Sequence, residues 1–282
     1  MYHVNFNGNI LPSDQPIFTS ANRAFRYGDA VFETIRLMYG EILFLDKHLN
    51  RLHRSMELLG MEKNPDLNFH HLYLSIRHLD QVNKLGGHAR IRVEIFRNDG
   101  GLYTPVSNSV SYLIEAAPIH QPEYSLNDSG LRVELYTDIK KPVSRLSNLK
   151  SSNALYYVMA GLQKKKLNLD DCLVLNTDGR IAEAISSNVF AVKDGTLITP
   201  SLDEACVAGV MREVLIEHCI ETGIPVKEGR LTVEQLLEMD ELFLTDVIHG
   251  IRWVSAFRTK RYFNKKARQL LSEVYERQTK KV

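Results

Sequence analysis

The sequence lacks most of what would commit it early to a class. Its 282 residues include three cysteines, one tryptophan and nine prolines, and 35 basic against 34 acidic residues leave a formal net charge of +1. Cys172, Cys206 and Cys219 are odd in number and show neither CxxC nor Cys/His ligand spacing, which speaks against a disulfide framework and a zinc site. A reducing cytoplasm is the expected compartment. The balanced charge, with no basic block before the short tail from Arg258, makes nucleic acid an unexpected partner. No run of ~18 apolar residues occurs, and MYHVNFNGNILPSDQPIF has no basic region followed by an apolar one, so neither a membrane span nor a secretion signal is expected. Internal repeats and low-complexity tracts are also absent.

What is present suffices for one large core or two smaller ones, since 44% of residues are hydrophobic and 24% charged. HVNFNGNIL carries Asn7-Gly8, a hairpin turn in which both residues tolerate positive φ. YGEILFLDKHLNRLHRSMELLG predicts a strand over Ile42–Leu45 and then a helix, with Asp46 as N-cap, an apolar stripe of Leu49, Leu52, Met56 and Leu59, and Gly60 as its end. ARIRVEIFR alternates Ala89, Ile91, Val93 and Ile95 against Arg90, Arg92 and Glu94, the pattern of a half-buried strand with a charged, mainly cationic outer face. PIHQPEYSLNDSG loses all periodicity, so a domain boundary is expected there, with residues 1–118 before a linker at 119–130 and residues 131–282 after it. Beyond it, turns at Asn176–Gly179 and Asp194-Gly195 punctuate strands. GVMREVLIEHCIETG reads as a helix ending at Gly223, Thr232 and Gln235 form a capping box, and Asn264–Tyr275 is amphipathic.

One absence is local. From Leu146 to Leu162 the only charged residue is Lys150. It is followed by Ser-Ser-Asn and then ALYYVMAGL, which reads as a mostly apolar helix. Burial lowers a lysine pKa, and a partly desolvated amine is the nucleophile that Schiff-base chemistry with a carbonyl requires. The plainer alternative is a lysine at a strand-to-helix corner that reaches water along its alkyl stem.

Other segments bear on that choice. RAFRYGDAVFETIRL (23–37), HLNRLHRS (48–55), the lysine segment, AEAISSNVFAVKDGTLITPSL (182–202) and AGVMRE (208–213) stand in the order found in pyridoxal-phosphate enzymes of fold type IV. From about residue 4 to about 255 the chain resembles that family, the class IV aminotransferases, which include branched-chain aminotransferases, D-amino-acid aminotransferases and aminodeoxychorismate lyases. The resemblance implies an α+β fold, a small α/β N-terminal domain followed by a larger β-rich pseudo-barrel domain. It also implies pyridoxal 5'-phosphate as cofactor, an amino acid and a keto acid as substrates, and a homodimer.

By the same resemblance, Lys150 matches the lysine that holds the cofactor as a Schiff base and, once displaced, moves the α-proton. Glu183 matches the carboxylate that pairs with the pyridine nitrogen. Arg51 matches the arginine that binds the phosphate, a task that suits its bidentate fork. Val210 and Met211 open a helix whose amides point at phosphate, and Val247 and Ile248 match a second phosphate loop in which Asp246 is an awkward anion. Read alone, Arg51 is one more charge on a helix face and Glu183 a solvated glutamate after a turn. A non-catalytic homologue would have no need of Lys150, Glu183 and Arg51 together.

Departures from the subfamily patterns narrow the reaction. D-amino-acid aminotransferases carry tyrosine where this chain has Phe32, and an Arg-x-His trap where it reads NDGGLYTP. Branched-chain aminotransferases have a tyrosine five residues after the lysine and Gly-Thr-Ala in the second phosphate loop, where this chain has Leu155 and Asp246-Val247-Ile248. Aminodeoxychorismate lyases share Thr34, the Lys-x-x-Asn of Lys150 and Asn153, and Met211. The expectation is an aminotransferase acting on an L-amino acid, branched-chain amino acids included, with the lyase as alternative. Phe32, Thr34 and Arg97 are the expected substrate contacts, Arg97 for a carboxylate.

Overall fold

The computed structural model describes residues 2–279. The chain divides into two compact units, Met1–Glu123 with Lys150–Asn153, and Tyr124–Leu149 with Ala154–Val282.

The first unit contains β1 (His3–Phe6), β2 (Asn9–Pro12), α1 (Arg23–Tyr27), β3 (Ala30–Met38), β4 (Glu41–Ile42), α2 (Leu45–Leu58), α3 (Phe69–Asn83), β5 (Ala89–Arg97) and β6 (Val110–Pro118). Its sheet runs β2-β1-β6-β5-β3-β4, with every pairing antiparallel. Asn7 and Gly8 make the expected hairpin, with φ of 48° and 86°. Strand β5 buries Ala89, Ile91, Val93 and Ile95 as its alternation predicts. With Ile35 and Leu37 of β3 these belong to one core with Leu49 and Leu52 of α2 and Ile76 of α3. The opposite side of the same strands carries Phe32, Thr34, Arg90, Arg92 and Glu94, none of them buried.

Two local expectations are corrected. Only Glu41–Ile42 is strand, because Phe44 takes a left-handed φ of 56° and turns the chain directly into α2 at Leu45. Asp46 therefore lies inside the first helical turn, where its charge suits the helix dipole, and does not cap. Residues 150–153 count with the first unit, although the flanking chain belongs to the second, because they pair with β3. The Phe32 amide donates to Lys150 O at 2.8 Å, the Ser152 amide to Ala30 O at 3.0 Å, and Val31 and Ser151 form the antiparallel bridge between them.

The second unit contains β7 (Leu131–Lys141), α4 (Leu155–Lys166), β8 (Asp171–Asn176), β9 (Ile181–Ala184), β10 (Asn188–Lys193), β11 (Thr196–Pro200), α5 (Val210–Thr222), β12 (Val226–Gly229), α6 (Val233–Glu238), β13 (Glu241–Asp246), β14 (Gly250–Phe257), β15 (Lys260–Arg261) and α7 (Lys265–Thr279). Its mixed sheet runs β12-β11-β10-β13-β14-β7-β8-β9, with β15 on β14. In a flat sheet five strand spacings, roughly 24 Å, would separate β10 from β9. The chain joins them through residues 185–187, which with their flanking links reach at most about 14 Å. The sheet therefore curls back on itself as a half-barrel. Phe190 and Phe243 stack as a cross-strand pair, ring centroids 5.4 Å apart.

Helix α5 ends at Gly223 in the left-handed region, and the Thr232/Gln235 capping box opens α6. Helix α7 is capped from a distance, the Glu241 carboxylate accepting from the Lys266 and Ala267 amides. Helix α4 is mostly apolar as expected, yet Ala160 is its one fully buried residue, while Leu155, Val158, Met159 and Leu162 are exposed. Among the described residues no helix is long and apolar enough to cross a membrane.

The core stripe of α2 holds the first unit together. Leu52 is 2% exposed, so Leu52→Ala should cost about 3 kcal/mol through lost burial and a cavity, read as a lower urea midpoint for the whole chain.

Candidate active site

The pairing with β3 sets the direction of the lysine. Residues opposite one another on antiparallel strands point to the same face, so Lys150 shares the outer face of β3 with Phe32, and its Nζ lies 4.4 Å from the Phe32 ring centroid. Across Phe32 stands its register partner Glu94, and beside that pair Thr34 faces Arg92. The Arg92 guanidinium lies 3.7 Å from the same ring centroid. Arg92 donates to Glu94 at 2.9 Å, and the Ser152 hydroxyl donates to the other Glu94 oxygen at 2.6 Å. Asn153 clamps the end of the lysine segment by donating to Gly28 O at 3.1 Å. A Cβ on Gly28 would stand 2.8 Å from Asn153 Oδ1, and its φ is +64°, so the close approach needs glycine.

On the core side of β3, Glu33 is buried between two residues of α2. It accepts from Arg51 Nε at 2.8 Å and from another Arg51 nitrogen, and lies 2.6 Å from His48 Nδ1. Burial alone would raise its pKa, but the Arg51 charge and the hydrogen bonds from His48 and Arg51 outweigh that and hold it at about 2. Burial lowers the His48 pKa, against the pull of Glu33, and its Nε2 is buried without a hydrogen-bond partner. Arg97 is spent on the fold, its guanidinium donating to Asp29, Asn108 and the carbonyl oxygens of Leu59 and Gly60. The expected carboxylate contact at Arg97 is not supported by this arrangement.

In the second unit Glu183 is 3% exposed and receives donors only. Its Oε1 accepts from Lys141 Nζ at 2.5 Å and Tyr157 OH at 2.6 Å, and its Oε2 from the Val207 amide at 2.9 Å. Burial and the neighbouring carboxylate push the Tyr157 hydroxyl far above its usual pKa, so it stays a donor. Val207 begins the approach to α5. Asn188 holds its carbonyl at 2.9 Å, and a Cβ on Gly209, the N-cap, would stand 1.8 Å from Asn188 Oδ1. No side chain caps α5, and its first backward bond is Glu213 N to Gly209 O at 3.0 Å, so the Val210 and Met211 amides precede the helical ladder.

Asp246 closes the β13–β14 turn on itself. It accepts from the Ile248 and His249 amides, both at 2.9 Å, and from Ser187 Oγ at 3.2 Å. Burial would raise its pKa, but the His249 hydrogen bond and the charges of His249 and Arg252 lower it. The Ile248 amide is thus already engaged, whereas the Val247 amide donates to no partner among the described hydrogen bonds.

Sequence reasoning missed the partners of these groups. Glu33 had a signal, a charge at a core-facing position of AVFETIRLM. Lys141 and Tyr157 had none, lying 42 and 26 residues from the carboxylate they hold.

Because the folded pKa of Glu33 lies at about 2 against 4.5 for the free group, its stabilisation is fully present above pH ~4.5 and is lost as pH falls through ~2. Glu33→Gln should destabilise by about 3 kcal/mol at pH 7. Urea unfolding should show that gap narrowing by pH 3; an unchanged gap would contradict the pairing.

Comparison with known proteins supplies the family. The family model for amino-transferase class IV matches residues 30–257. The D-alanine aminotransferase of Bacillus licheniformis is 28% identical, covering 86% of this chain and 83% of its own. The aminodeoxychorismate lyase of Bacillus subtilis is also 28% identical, covering 87% and 83%. The branched-chain aminotransferase of the thermophilic archaeon Thermoproteus uzoniensis, solved with norvaline, superposes with a TM-score of 0.85 at 23% identity over 98% of this chain and 94% of that one. With the family match spanning most of its length, the chain belongs to the class IV aminotransferases, enzymes that use pyridoxal phosphate.

Proposed function

We propose that this chain binds pyridoxal 5'-phosphate and moves an amino group between an L-amino acid, with branched-chain amino acids as candidate donors, and a 2-keto acid. The observation that carries the reading is Lys150, the one charge in its segment, fixed on β3 by backbone pairing with its amine over Phe32. Two further observations support the cofactor. Glu183 is buried and surrounded by donors alone, and the α5 N-terminus has uncapped amides beside a glycine that admits no side chain.

When bound, the cofactor supplies an electron sink for the negative charge left when the substrate α-proton is removed. Lys150 would hold the cofactor through its amine and, when that amine is free, would carry the proton. Glu183, its carboxylate fixed by Lys141, Tyr157 and the Val207 amide, would pair with the pyridine nitrogen. The Val210 and Met211 amides take the phosphate, as helix N-termini do. Arg51 keeps two of its nitrogens on Glu33, and the second loop contributes the Val247 amide, since Ile248 is committed to Asp246. Phe32 and Thr34 line the substrate side, where Arg92 replaces Arg97 as the carboxylate contact.

The visible absorbance of the cofactor-loaded protein tests this. A band that is missing in Lys150→Ala, bleaches with L-leucine, L-isoleucine or L-glutamate, and returns with a 2-keto acid is the expected result. No bleaching by any of them, with pyruvate released from aminodeoxychorismate, would replace the transaminase with the lyase.

The apolar residues of α4 support a homodimer. Leu155, Val158, Met159 and Leu162 fall at i, i+3, i+4 and i+7, one stripe of a helix, and all are exposed. A second copy is the occupant proposed for that stripe. Light scattering should find a dimer in the wild type and a monomer in Val158→Asp; a monomeric wild type would rule this out.

A further inference from the structure

The stretch that leads into α5 is held at consecutive peptide groups. The Cys206 carbonyl oxygen accepts from Asn148 Nδ2 at 2.7 Å, and the Val207 amide donates to Glu183 Oε2 at 2.9 Å. The Val207 carbonyl oxygen then accepts from Asn188 at 2.9 Å, and the Ala208 amide donates to Asn148 O at 3.1 Å. Asn148 Nδ2 also donates to Leu202 O at 2.8 Å. Glu183 and Asn188 flank the β9–β10 turn, whereas Asn148 belongs to the lysine segment, two residues before Lys150. Asn148 thus spends both side-chain hydrogens and its own carbonyl on one stretch of chain.

We infer that Asn148 is a positioning residue for the phosphate, fixing the Val210 and Met211 amides through the loop that precedes them. The inference rests on the cofactor reading proposed above. In that reading the lysine is free during part of each transfer, and the cofactor is then kept by non-covalent contacts. Neutral amides bind an anion well only if they point at it beforehand, because ordering them at the moment of binding costs part of what they give. Asparagine suits the task. Its planar amide offers two N–H donors to two carbonyl oxygens, and it brings no charge to compete with or repel the phosphate. Because the loop is anchored on the residues just before Lys150, the phosphate contacts stay in place whether or not the lysine is engaged.

Pyridoxamine 5'-phosphate and pyridoxamine are the probes, on the full chain freed of cofactor. Neither carries an aldehyde for the lysine to bond, so their affinity ratio isolates the phosphate contacts. Calorimetry should find the phosphate-bearing ligand much the tighter in the wild type. Asn148→Ala should weaken it about tenfold while moving pyridoxamine by less than about twofold. Asn148→Asp, which keeps the size but turns a carboxylate toward the same carbonyl oxygens, should do at least as much. Two outcomes overturn the inference alone: an unchanged ratio in Asn148→Ala, or an equal loss for both ligands, which is what mere damage to the fold would give. A wild type that binds both equally removes the phosphate reading and the inference with it. Hydrogen exchange on the unliganded wild type serves even if no variant folds. The Val207 and Ala208 amides should be protected there; protection that arises only with pyridoxamine 5'-phosphate would mean that the ligand, not Asn148, sets the loop.

Discussion

Two backbone hydrogen bonds decide where the chemistry of the first unit stands. They join Phe32 and Ala30 of β3 to Lys150 and Ser152, residues remote in sequence, and they add a short strand to an edge that β4 covers only at its other end. Because paired antiparallel residues share a face, this one contact puts the lysine in a row with Phe32 and Glu94 and puts Ser152 within reach of the Glu94 carboxylate. A slip of one residue would turn Lys150 to the core side. Asn153, wedged on Gly28, guards against that slip.

Buried carboxylates form the second organising theme. Glu33, Glu183 and Asp246 are each withdrawn from water. Each is surrounded by N–H or O–H donors and by cationic groups. The outcome is three oriented carboxylates inside a protein whose overall charge is close to zero.

The sequence was most legible where a local rule acts alone. The Asn7-Gly8 turn, the alternation of β5, the Thr232/Gln235 capping box and the Gly223 helix end are each decided by a few neighbouring residues, and all stand as expected. Lys150 stood out for the converse reason, the absence of any charge near it in sequence. Expectations went astray where a distant partner decides. Arg97, at a strand end before Asn-Asp-Gly-Gly, looks free to meet a ligand, yet Asp29, Asn108 and the end of α2 consume its donors. Phe44 in a left-handed conformation has no sequence signature, and it moved the start of α2 ahead of its apparent cap. The apolar look of α4 was legible, but apolarity does not say which surface covers it.

The Asp246 turn shows how an anion fits where a phosphate-type loop was expected. Its charge is answered locally by His249, Ser187 and the nearby Arg252, which also approaches Asp171 at 3.5 Å. Arg51 is likewise answered by Glu33. In both places the formal charges cancel before any ligand is considered, so an anion would gain little from them. What stays uncommitted is neutral: the Val210 and Met211 amides at the start of α5 and the Val247 amide in the turn. In the proposed reading, recognition of a phosphate therefore rests on oriented peptide dipoles, whose strength depends on the loop around Gly209 being held still. The hydrogen bonds from Asn188 and from Val207 to Glu183 do that, and they tie the phosphate end of the proposed site to the carboxylate at its other end.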